Sequence, residues 1–496
     1  MRIFDGTKRK LSSFGITHFE SVDLEITGLS TDSRMIKPGF LFAALQGFNL
    51  HGANYCREAI TRGCIVILTD PEGQSQIKKL VKGHNIKLIV VADPKQIFAC
   101  CAAIWFNAQP KILTAVTGTN GKTSVANFTR QIWEFLGHRA SNIGTLGVEG
   151  PVSYPLAHTT PDPIKLHRIL FELAEQKVTH ACLEASSHGL DQKRLDGAIL
   201  TSAAFTNLSH DHLDYHKTLD SYFTSKVGLF TRILKNDGSA VLNIDSDWGK
   251  KLKGILETYG IRKFTVGKDS SCDLRIMGQK FNRDSQDLKF SFNGTHYHTN
   301  FELIGGFQAY NILIAAGLVI SSGGKPVDVF DSLNSIKTIK GRMQKVACLS
   351  NGASIYVDFA HTPAAIEVAI KSIQRHILGR VSIILGAGGD RDHTKRKLMG
   401  EVAQKYADLV YVTDDNPRNE DPKKIRSMIK LGAPKALEIP DRAEAILIGI
   451  SNLEAGDVLL ITGKGHETGQ IIGDSILAFD DAEQANIAVA ALEGTI

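Results

Sequence analysis

Residues 114–124 read T-A-V-T-G-T-N-G-K-T-S and have the composition of a loop that binds the phosphates of a nucleotide. Gly118 and Gly121 allow the backbone to curl so that its N–H groups face one point. Lys122 can reach terminal phosphate oxygens, and the Thr123 hydroxyl can ligate Mg²⁺. The usual pattern has a glycine where this chain has Val116, so the loop is a shortened variant. We predict that ATP or GTP binds here, at Gly118, Thr119, Asn120, Gly121, Lys122, Thr123 and Ser124.

Acidic and histidine residues follow two further apolar segments. Glu184 ends the first of these segments, in L-E-A-S-S-H-G, and residues 207–216, N-L-S-H-D-H-L-D-Y-H, follow the second. No cysteine lies near these histidines and their spacing matches no common zinc pattern, so a hard metal shared with the nucleotide is a better interpretation than zinc. A polar loop with solvated imidazoles is the alternative.

Three series of apolar, β-branched runs are available to position these residues. They lie at 63–70 and 86–93, then at 111–116, 179–184, 201–207, 239–243 and 263–266, and finally at 354–358, 381–386, 409–413 and 458–462. Helical stretches separate the runs, which predicts parallel sheets with functional loops at the carboxyl ends of their strands. Between 272 and 302 the pattern changes to alternation with turn residues, which predicts antiparallel hairpins added to the sheet, and a helix follows over 311–321.

The predicted fold class is therefore α/β, with three domains. Residues 1–100 form a small N-terminal α/β domain, and residues 101–337 form a central sheet like that of P-loop ATPases. Residues 338–496 form a Rossmann-like C-terminal domain.

Composition excludes several classes of protein. The 57 Lys and Arg residues against 52 Asp and Glu residues leave a formal charge of +5, which is too even for a protein held to nucleic acid by a basic face. The longest apolar helical run, 312–320, is about half of the ~20 residues that a membrane span needs. Seven cysteines without a C-x-x-C pair indicate reduced thiols, so we expect a cytoplasmic protein that binds neither nucleic acid nor membrane.

Motifs along nearly the whole chain, in order, resemble those of the Mur ligase family. They are T-G-T-N-G-K-T-S, T-T-P, E-A-S-S-H-G-L, Q-K-R, N-L-S-H-D-H-L-D-Y-H, S-K-V-G-L-F, L-I-G-G-F-Q-A-Y-N, G-R-M-Q, V-D-F-A-H-T-P, G-A-G-G-D-R-D, D-D-N-P-R-N-E-D-P and G-K-G-H-E. The family consists of ATP-dependent, ADP-forming amide ligases of cytoplasmic peptidoglycan precursor synthesis, which serves cell-wall growth, cell shape and cell division. The last three motifs resemble the members that add meso-diaminopimelate to UDP-N-acetylmuramoyl-L-alanyl-D-glutamate through an acyl phosphate.

This resemblance implies roles for residues around the phosphate loop. Glu184, His212 and Lys226 would join Thr123 as Mg²⁺ ligands, and with Lys122 they would form the catalytic group. Lys226 would carry a carbamate (N6-carboxylysine), although its residue type and helical setting alone predict a solvated surface lysine. The resemblance also assigns four residues to ATP binding: Asn311, Arg342, Asp358 and His361.

The resemblance further implies two sets of substrate-binding residues. The uridine-nucleotide and muramoyl-dipeptide would contact Ser33, Phe48, Asn49, Leu50, Thr159, Thr160, Ser186, Gln192 and Arg194. Diaminopimelate would contact Arg391, Asp415, Asn416, Pro417, Arg418, Gly463 and Glu467. The family often has Asn before the paired threonines, where this chain has His158.

Three alternatives stay open. An L-lysine-adding member would share the chemistry, but those members usually lack the arginine found here at Arg418. A folylpolyglutamate-type ligase would share the ATP site but not the motifs at Thr159 and at Asp415–Arg418. A non-catalytic ATP-binding module would explain only the phosphate loop. The sequence gives no oligomeric state, and a monomer is our expectation.

Overall fold

Three main sheets and two small two-stranded ones follow one another along the chain in a computed structural model that describes residues 7–16, 23–47 and 49–494. The first unit has the strands β1 (Arg9–Lys10), β2 (Glu25–Ile26), β3 (Gly28–Ser30), β4 (Phe40–Ala43), β5 (Val66–Thr69) and β6 (Lys87–Val90). Its helices are α1 (Cys56–Thr61), α2 (Pro71–Lys82) and α3 (Pro94–Phe106). Strands β3 to β6 form a parallel sheet in chain order, and β1 pairs with β2 antiparallel.

Two of these helices begin in the same way. Asp70 and Asp93 each accept a backbone N–H of the first helical turn, and a proline follows each of them at the first helical position. Helix α3 packs under the first sheet and also against Ile164 and Phe171 of the central unit. The predicted domain division between residues 100 and 101 falls inside this helix, so a division beyond Phe106 agrees better with the structure.

The central unit contains the largest sheet. Its strands are β7 (Ile112–Thr117), β8 (Ala140–Gly144), β9 (Gly147–Glu149), β10 (His180–Glu184), β11 (Leu200–Phe205), β12 (Leu234–Asn243), β13 (Arg262–Gly267), β14 (Leu274–Phe281), β15 (Gln286–Phe292) and β16 (Thr295–Phe301). Its helices are α4 (Lys122–Phe135), α5 (Pro163–Glu175), α6 (Ser187–Asp191), α7 (Leu213–His216), α8 (Leu219–Gly228), α9 (Asp247–Thr258), α10 (Phe307–Ser321) and α11 (Pro326–Ser332), with a π-helical turn at Leu229–Ile233.

The order of this sheet brings the candidate residues together. Ten strands run β16-β15-β14-β13-β12-β11-β7-β10-β8-β9, so β7, with the phosphate loop at its end, lies between β10 and β11. These three strands are parallel, and their carboxyl ends meet at one edge. The predicted antiparallel addition is confirmed as β14 to β16. Helix α10 begins at Phe307, four residues before the predicted start.

The third unit is a six-stranded sheet with helices on its faces. Its strands are β17 (Gln344–Cys348), β18 (Ser354–Asp358), β19 (Val381–Leu385), β20 (Leu409–Val412), β21 (Leu437–Glu438) and β22 (Val458–Thr462), with a separate hairpin of β23 (Gly469–Ile472) and β24 (Ser475–Ala478). Its helices are α12 (Pro363–Gln374), α13 (Thr394–Tyr406), α14 (Pro422–Lys430), α15 (Arg442–Ser451) and α16 (Asp481–Leu492). The order is β17-β18-β22-β19-β20-β21, parallel except for β17 at the edge. The predicted three-part α/β fold class is confirmed; its exact boundaries stay a prediction.

The helices and the cysteines of the described residues have two further features. Within the described residues, no helix has both the length and the apolar character that a membrane crossing requires. All seven cysteines lie in the described part of the chain, and none forms a disulfide.

Candidate functional site

The phosphate loop connects β7 to α4 and is held tightly by its neighbours. Gly121, the residue before α4, has φ +86°, a left-handed conformation that glycine adopts without strain. A Cβ atom there would lie 2.6 Å from Asn311 Oδ1. A Cβ atom on Gly118 would lie 1.9 Å from Thr206 Oγ1. At both positions a side chain would clash with a neighbouring residue, which explains the two predicted glycines. Asn311, a predicted ATP-binding residue, lies beside the loop.

The segment that follows β11 fixes the loop from the side. Asn120 N–H donates to Asn207 Oδ1 at 3.0 Å, and Ser209 N–H donates to Thr119 Oγ1 at 2.9 Å. Thr119 Oγ1 also lies 3.2 Å from the Tyr222 hydroxyl. The motif at 207–216 thus serves the phosphate loop structurally, a role that we did not predict for Asn207.

Glu184 lies at the end of β10 and is almost fully buried. Its carboxylate accepts a hydrogen bond from Thr123 Oγ1 at 3.0 Å and from the Thr145 backbone N–H at 2.8 Å. A Cβ atom on Gly144 would lie only 2.1 Å from Glu184 Oε1, so a glycine makes room for the carboxylate. The hydroxyl of Thr123 and the carboxylate of Glu184 are adjacent oxygen donors of the kind that Mg²⁺ prefers.

Two lysine side chains converge on the same loop. Lys122 Nζ donates to Gly118 O at 3.0 Å and to Thr119 O at 2.8 Å, and Lys226 Nζ donates to Gly118 O at 2.8 Å. Lys226 is 1% exposed, so the expectation from residue type, a solvated surface lysine, is wrong. Burial lowers the pKa of Lys226 well below its ordinary value, and the charge of Lys122 lowers this pKa further. Burial also lowers the pKa of Lys122.

His212 lies at the entrance to this cluster, in a left-handed conformation with φ +54°. Its Nε2 is 3.5 Å from Asp211 Oδ2, and its ring centroid is 4.9 Å from that of His188. Desolvation lowers the pKa of His212, the Asp211 carboxylate opposes this shift, and His188 and Lys122 add to it. In the described structure His212 forms no hydrogen bond to Thr123 or Glu184, so the structure joins only part of the predicted metal-binding set directly.

Histidine, cysteine and acidic side chains do not by themselves assemble a metal site here. No cluster of three or more of them that could hold an ion occurs within residues 7–16, 23–47 and 49–494. The predicted set differs in kind, because it combines Glu184 and His212 with the hydroxyl of Thr123 and a modified Lys226.

The third unit contributes residues to the same cleft. Arg342 Nη2 lies 3.1 Å from Thr123 Oγ1, while its Nε is buried and has no hydrogen-bond partner among the described residues. Asp358, at the end of β18, accepts two backbone N–H groups, and burial raises its pKa. His361 follows it, and burial lowers the pKa of its imidazole. A guanidinium short of acceptors beside the phosphate loop is the environment that phosphate oxygens would complete.

A second group of side chains surrounds Arg194. Its Nη1 donates to Thr160 O at 2.7 Å, and its Nη2 donates to Gln192 Oε1 at 2.7 Å. The Ser186 N–H donates to Thr160 Oγ1 at 3.0 Å. Four of the residues predicted to hold the muramoyl-dipeptide therefore form one network beside the end of β10.

Thr145 connects Glu184 to Thr159, the residue before Thr160 of this network. Its Oγ1 lies 3.1 Å from Glu184 Oε2 and 3.1 Å from Thr159 Oγ1. His158, beside Thr159, is exposed. We did not predict Thr145, because a single threonine outside a recognisable motif carries no signal in the sequence.

The predicted uridine-binding residues of the first unit are less closely grouped. Ser33 is buried, and its hydroxyl donates to Glu58 Oε2 at 2.6 Å. Asn49 is exposed and Leu50 is 57% exposed. Phe48 lies outside the described residues. The role of these residues stays a prediction.

Two arginines flank one glycine at the ends of β19 and β20. A Cβ atom on Gly388 would lie 2.7 Å from Arg418 Nη1 and 3.7 Å from Arg391 Cγ. Arg418 Nη1 donates to Gly389 O at 2.9 Å, and Pro417 O accepts a backbone N–H two residues beyond Arg418. Because β19 and β20 pair directly, the predicted arginine clamp comes from adjacent strand ends.

The other predicted amino-acid-binding residues line the same edge. Asn416 Nδ2 donates to Glu467 Oε2 at 2.7 Å, and the fully buried Lys464 donates to Asn416 Oδ1 at 3.2 Å. A Cβ atom on Gly463 would lie 2.5 Å from Asp415 Oδ2. The structure brings this predicted group together, and Lys464 is a member that we did not predict.

A fully buried ion pair lies next to this edge of the sheet. Arg442 Nε lies 2.6 Å from Asp481 Oδ1, and Arg442 Nη2 lies 2.7 Å from Asp481 Oδ2. The same Nη2 donates to Thr462 O, the last residue before Gly463. The two residues lie 39 positions apart, so no local pattern indicates that they pair.

Family models match most of the chain. One described as "Mur ligase family, catalytic domain" matches residues 25–103, "Mur ligase middle domain" matches 116–319, and "Mur ligase, glutamate ligase domain" matches 341–465.

Curated relatives align over almost their whole length. The UDP-N-acetylmuramoyl-L-alanyl-D-glutamate--2,6-diaminopimelate ligase of Agrobacterium fabrum is 43% identical over 477 residues, which is 95% of each chain. The protein of the same name from Bradyrhizobium diazoefficiens is 44% identical over 94% of this chain and 95% of its own. A solved structure of a ligase with that name is 28% identical, covers 98% of this chain and 100% of its own, and has a TM-score of 0.71.

Proposed function

The chain belongs to the Mur ligase family, and we propose that it is the ATP-dependent amide ligase that adds meso-diaminopimelate to UDP-N-acetylmuramoyl-L-alanyl-D-glutamate. Relatives of that name are 43–44% identical along nearly the entire chain. The observation that carries the proposal is the continuity of the site. The Thr160 hydroxyl donates to Glu184 O at 2.8 Å, which joins Glu184 to the network of Arg194, and Arg342 of the third unit reaches Thr123 beside the Glu184 carboxylate.

The proposed reaction begins with the terminal carboxylate of the muramoyl-dipeptide. Arg194 pairs with this carboxylate and directs it toward the phosphate loop, since a planar guanidinium fork can contact both oxygens. The carboxylate takes the γ-phosphoryl group of ATP, which gives an acyl phosphate and ADP. Lys122, with Arg342 opposite it, stabilises the charge that develops on the phosphoryl oxygens. No side chain acts as a covalent nucleophile.

Amide formation follows on the side of the third unit. Arg391 and Arg418 hold a carboxylate of diaminopimelate, and Asn416 and Glu467 hold its distal polar groups. The neutral amino group attacks the acyl carbon and forms the C–N bond. The C–O bond to phosphate breaks, and the amine loses its extra proton to solvent as inorganic phosphate leaves.

Thr123 and Glu184 fit a bound Mg²⁺, because their oxygens lie 3.0 Å apart beside the phosphate loop. When bound, the ion would neutralise phosphate charge. His212 is the proposed third ligand. Lys226 completes the set as a carbamate: its neutral amine adds to CO₂, forms an N–C bond and releases a proton. The buried environment, which disfavours the ammonium form of Lys226, supports this modification.

The remaining assignments extend the proposal to the whole substrate. Ser33, Asn49 and Leu50 contact the uridine nucleotide, and Asn311 lies near the adenine of ATP. A cytoplasmic location is part of the proposal. We propose that the enzyme acts as a monomer.

An omission assay tests the proposal. Phosphate release should require ATP, Mg²⁺, the muramoyl-dipeptide and meso-diaminopimelate together. The ligation product should have the summed mass of the two substrates less one water. Phosphate release without any amino acid, or with a folate in place of the muramoyl-dipeptide, would contradict it.

A further inference from the structure

One end of helix α12 is anchored to the central unit by a single histidine. His376, just beyond the helix, is 8% exposed. Its Nδ1 lies 2.5 Å from Asn282 O and its Nε2 lies 3.1 Å from the Gly305 N–H. A carbonyl accepts and an N–H donates, so the imidazole is neutral with its proton on Nδ1. The two partners belong to different segments of the central unit: the turn between β14 and β15, and the residues before α10.

The turn between β14 and β15 makes further contacts with the third unit. Asp284 Oδ1 lies 2.6 Å from Lys345 Nζ, on the edge strand β17. Arg283 donates to the carbonyl of Gly352, and the Phe281 ring meets the His376 ring edge-to-face at 5.1 Å. Four consecutive residues of the turn thus contact the third unit, counting Asn282. We name residues 281–284 the docking turn.

The segment before α10 packs on the same helix. Ile304 is 5% exposed and belongs to the apolar core of the third unit rather than to that of the central one. A Cβ atom on Gly305 would lie 3.0 Å from the Ser372 side chain of α12. Each of the two central segments that contact His376 therefore also contacts the third unit through other residues.

The opposite end of α12 lies at the ATP site. Thr362 caps the helix, and His361 precedes it. Twelve helical residues span about 18 Å, so α12 is a stiff connection between His376 and the phosphate-loop cleft. At the cleft itself, the direct contact of the third unit with the phosphate loop is the 3.1 Å bond from Arg342 to Thr123. The net contribution of one side-chain hydrogen bond to stability is small, too small to hold a domain alone.

We propose that His376 is a positioning residue, which together with the docking turn fixes α12 and β17, so that His361, just before α12, and Arg342, two residues before β17, face the phosphate loop. The proposal rests on the proposed function in so far as it concerns ATP use. Under this proposal, the antiparallel strands β14–β16 do more than extend the sheet. Their docking turn attaches the third unit to the central unit at a second place, away from the contact of Arg342 with Thr123.

The test uses His376→Ala in the full-length protein, with Gln374→Ala as the matched control. Gln374 lies at the same helix end but donates to Tyr406 O within the third unit. His376→Ala should lower kcat/KM for ATP about tenfold and weaken binding of a non-hydrolysable ATP analogue similarly, since a buried bridge of two hydrogen bonds is lost. Amide hydrogen exchange should rise in peptides covering 281–286 and 303–308. Gln374→Ala should change none of these quantities.

Two conservative variants separate the bonds and serve if the alanine variant does not fold. His376→Asn keeps a donor near the Nδ1 position, so only the 303–308 peptide should lose protection. His376→Gln keeps an acceptor near the Nε2 position, so only the docking turn should lose protection. Folded variants with wild-type exchange in both segments, or with raised exchange but unchanged nucleotide affinity, would overturn the proposal. Because exchange and analogue binding need no ligation, they test it even if the assigned reaction is wrong.

Discussion

The Nζ atoms of Lys122 and Lys226 both lie within hydrogen-bond distance of one carbonyl, Gly118 O, at 3.0 and 2.8 Å. Two buried ammonium groups that share one acceptor oxygen would repel each other strongly. Conversion of Lys226 to an anionic carbamate removes the repulsion and replaces it with an attraction to Lys122. The arrangement thus gives a physical reason for a modified lysine at this position.

Substitution of Lys226 tests this explanation. Lys226→Ala should lose ligation activity, because the carbamate oxygens are lost, and acetate or formate should restore part of it by occupying the vacated space. Lys250→Ala, on the exposed surface of α9, is the control and should behave as wild type. The measurement is phosphate release with and without the added carboxylate. Full activity of folded Lys226→Ala without rescue would refute the assigned role.

Gly144 tests the placement of Glu184. A methyl group at this position would overlap the Glu184 carboxylate at 2.1 Å, so Gly144→Ala should displace it and lower kcat by about 100-fold. Gly254 lies in α9 with no heavy atom within 4 Å of a Cβ, and Gly254→Ala should leave kcat unchanged. It should also stabilise the fold by about 0.5–1 kcal/mol, because a helical glycine is replaced by alanine. Equal kcat values for the two variants would exclude a role for Glu184 in catalysis.

Arg418 should determine the preference for diaminopimelate. Removal of a bidentate, charge-assisted pair costs about 2–5 kcal/mol, so Arg418→Ala should raise the KM for diaminopimelate at least ~10-fold. The KM for ATP should stay nearly constant, since Arg418 lies on the loop after β20. Arg418→Lys should recover little, because an ammonium cannot reproduce the guanidinium fork. Steady-state kinetics with each substrate varied in turn provide the comparison; an unchanged diaminopimelate KM in Arg418→Ala would disprove the role.

The buried pair of Arg442 and Asp481 should contribute to stability and to the shape of the amino-acid site. Asp481→Ala should lower the free energy of unfolding by about 3–5 kcal/mol, because Arg442 keeps a buried charge without its partner. Asp220→Ala breaks an exposed pair with Lys251 and should cost less than about 1 kcal/mol. Denaturant unfolding measures both; a similar loss in the two variants would mean that the buried pair is not needed for the fold.

Local patterns were sufficient to predict much of the fold and of the phosphate loop. The loop, the end of β10 at Glu184 and the antiparallel strands β14–β16 each follow from short-range signals: glycine spacing, apolar runs and alternation. The start of α10 and the continuation of α3 through the predicted domain division did not follow from such signals. Helix α3 continues through residues 100 and 101 because its apolar side packs on α5 as well as on the first sheet.

The rest of the site depends on contacts between distant parts of the chain. Lys226 looks like a surface residue until the central sheet buries it against Gly118, 108 positions earlier. Thr145 becomes important only because the fold places it between Glu184 and Thr159. Such residues have no sequence signature, since their setting is created by tertiary packing. The family resemblance supplied Lys226 but not Thr145.

The most direct test of the central claim is a competition between amino acids. The purified protein is incubated with ATP, Mg²⁺, UDP-N-acetylmuramoyl-L-alanyl-D-glutamate and an equimolar mixture of meso-diaminopimelate and L-lysine, and the products are separated by mass spectrometry. The arginines at Gly388 predict a product that carries diaminopimelate almost exclusively, and a loss of this preference in Arg418→Ala. A dominant lysine product, or no amide product while ATP is consumed, would contradict the assignment.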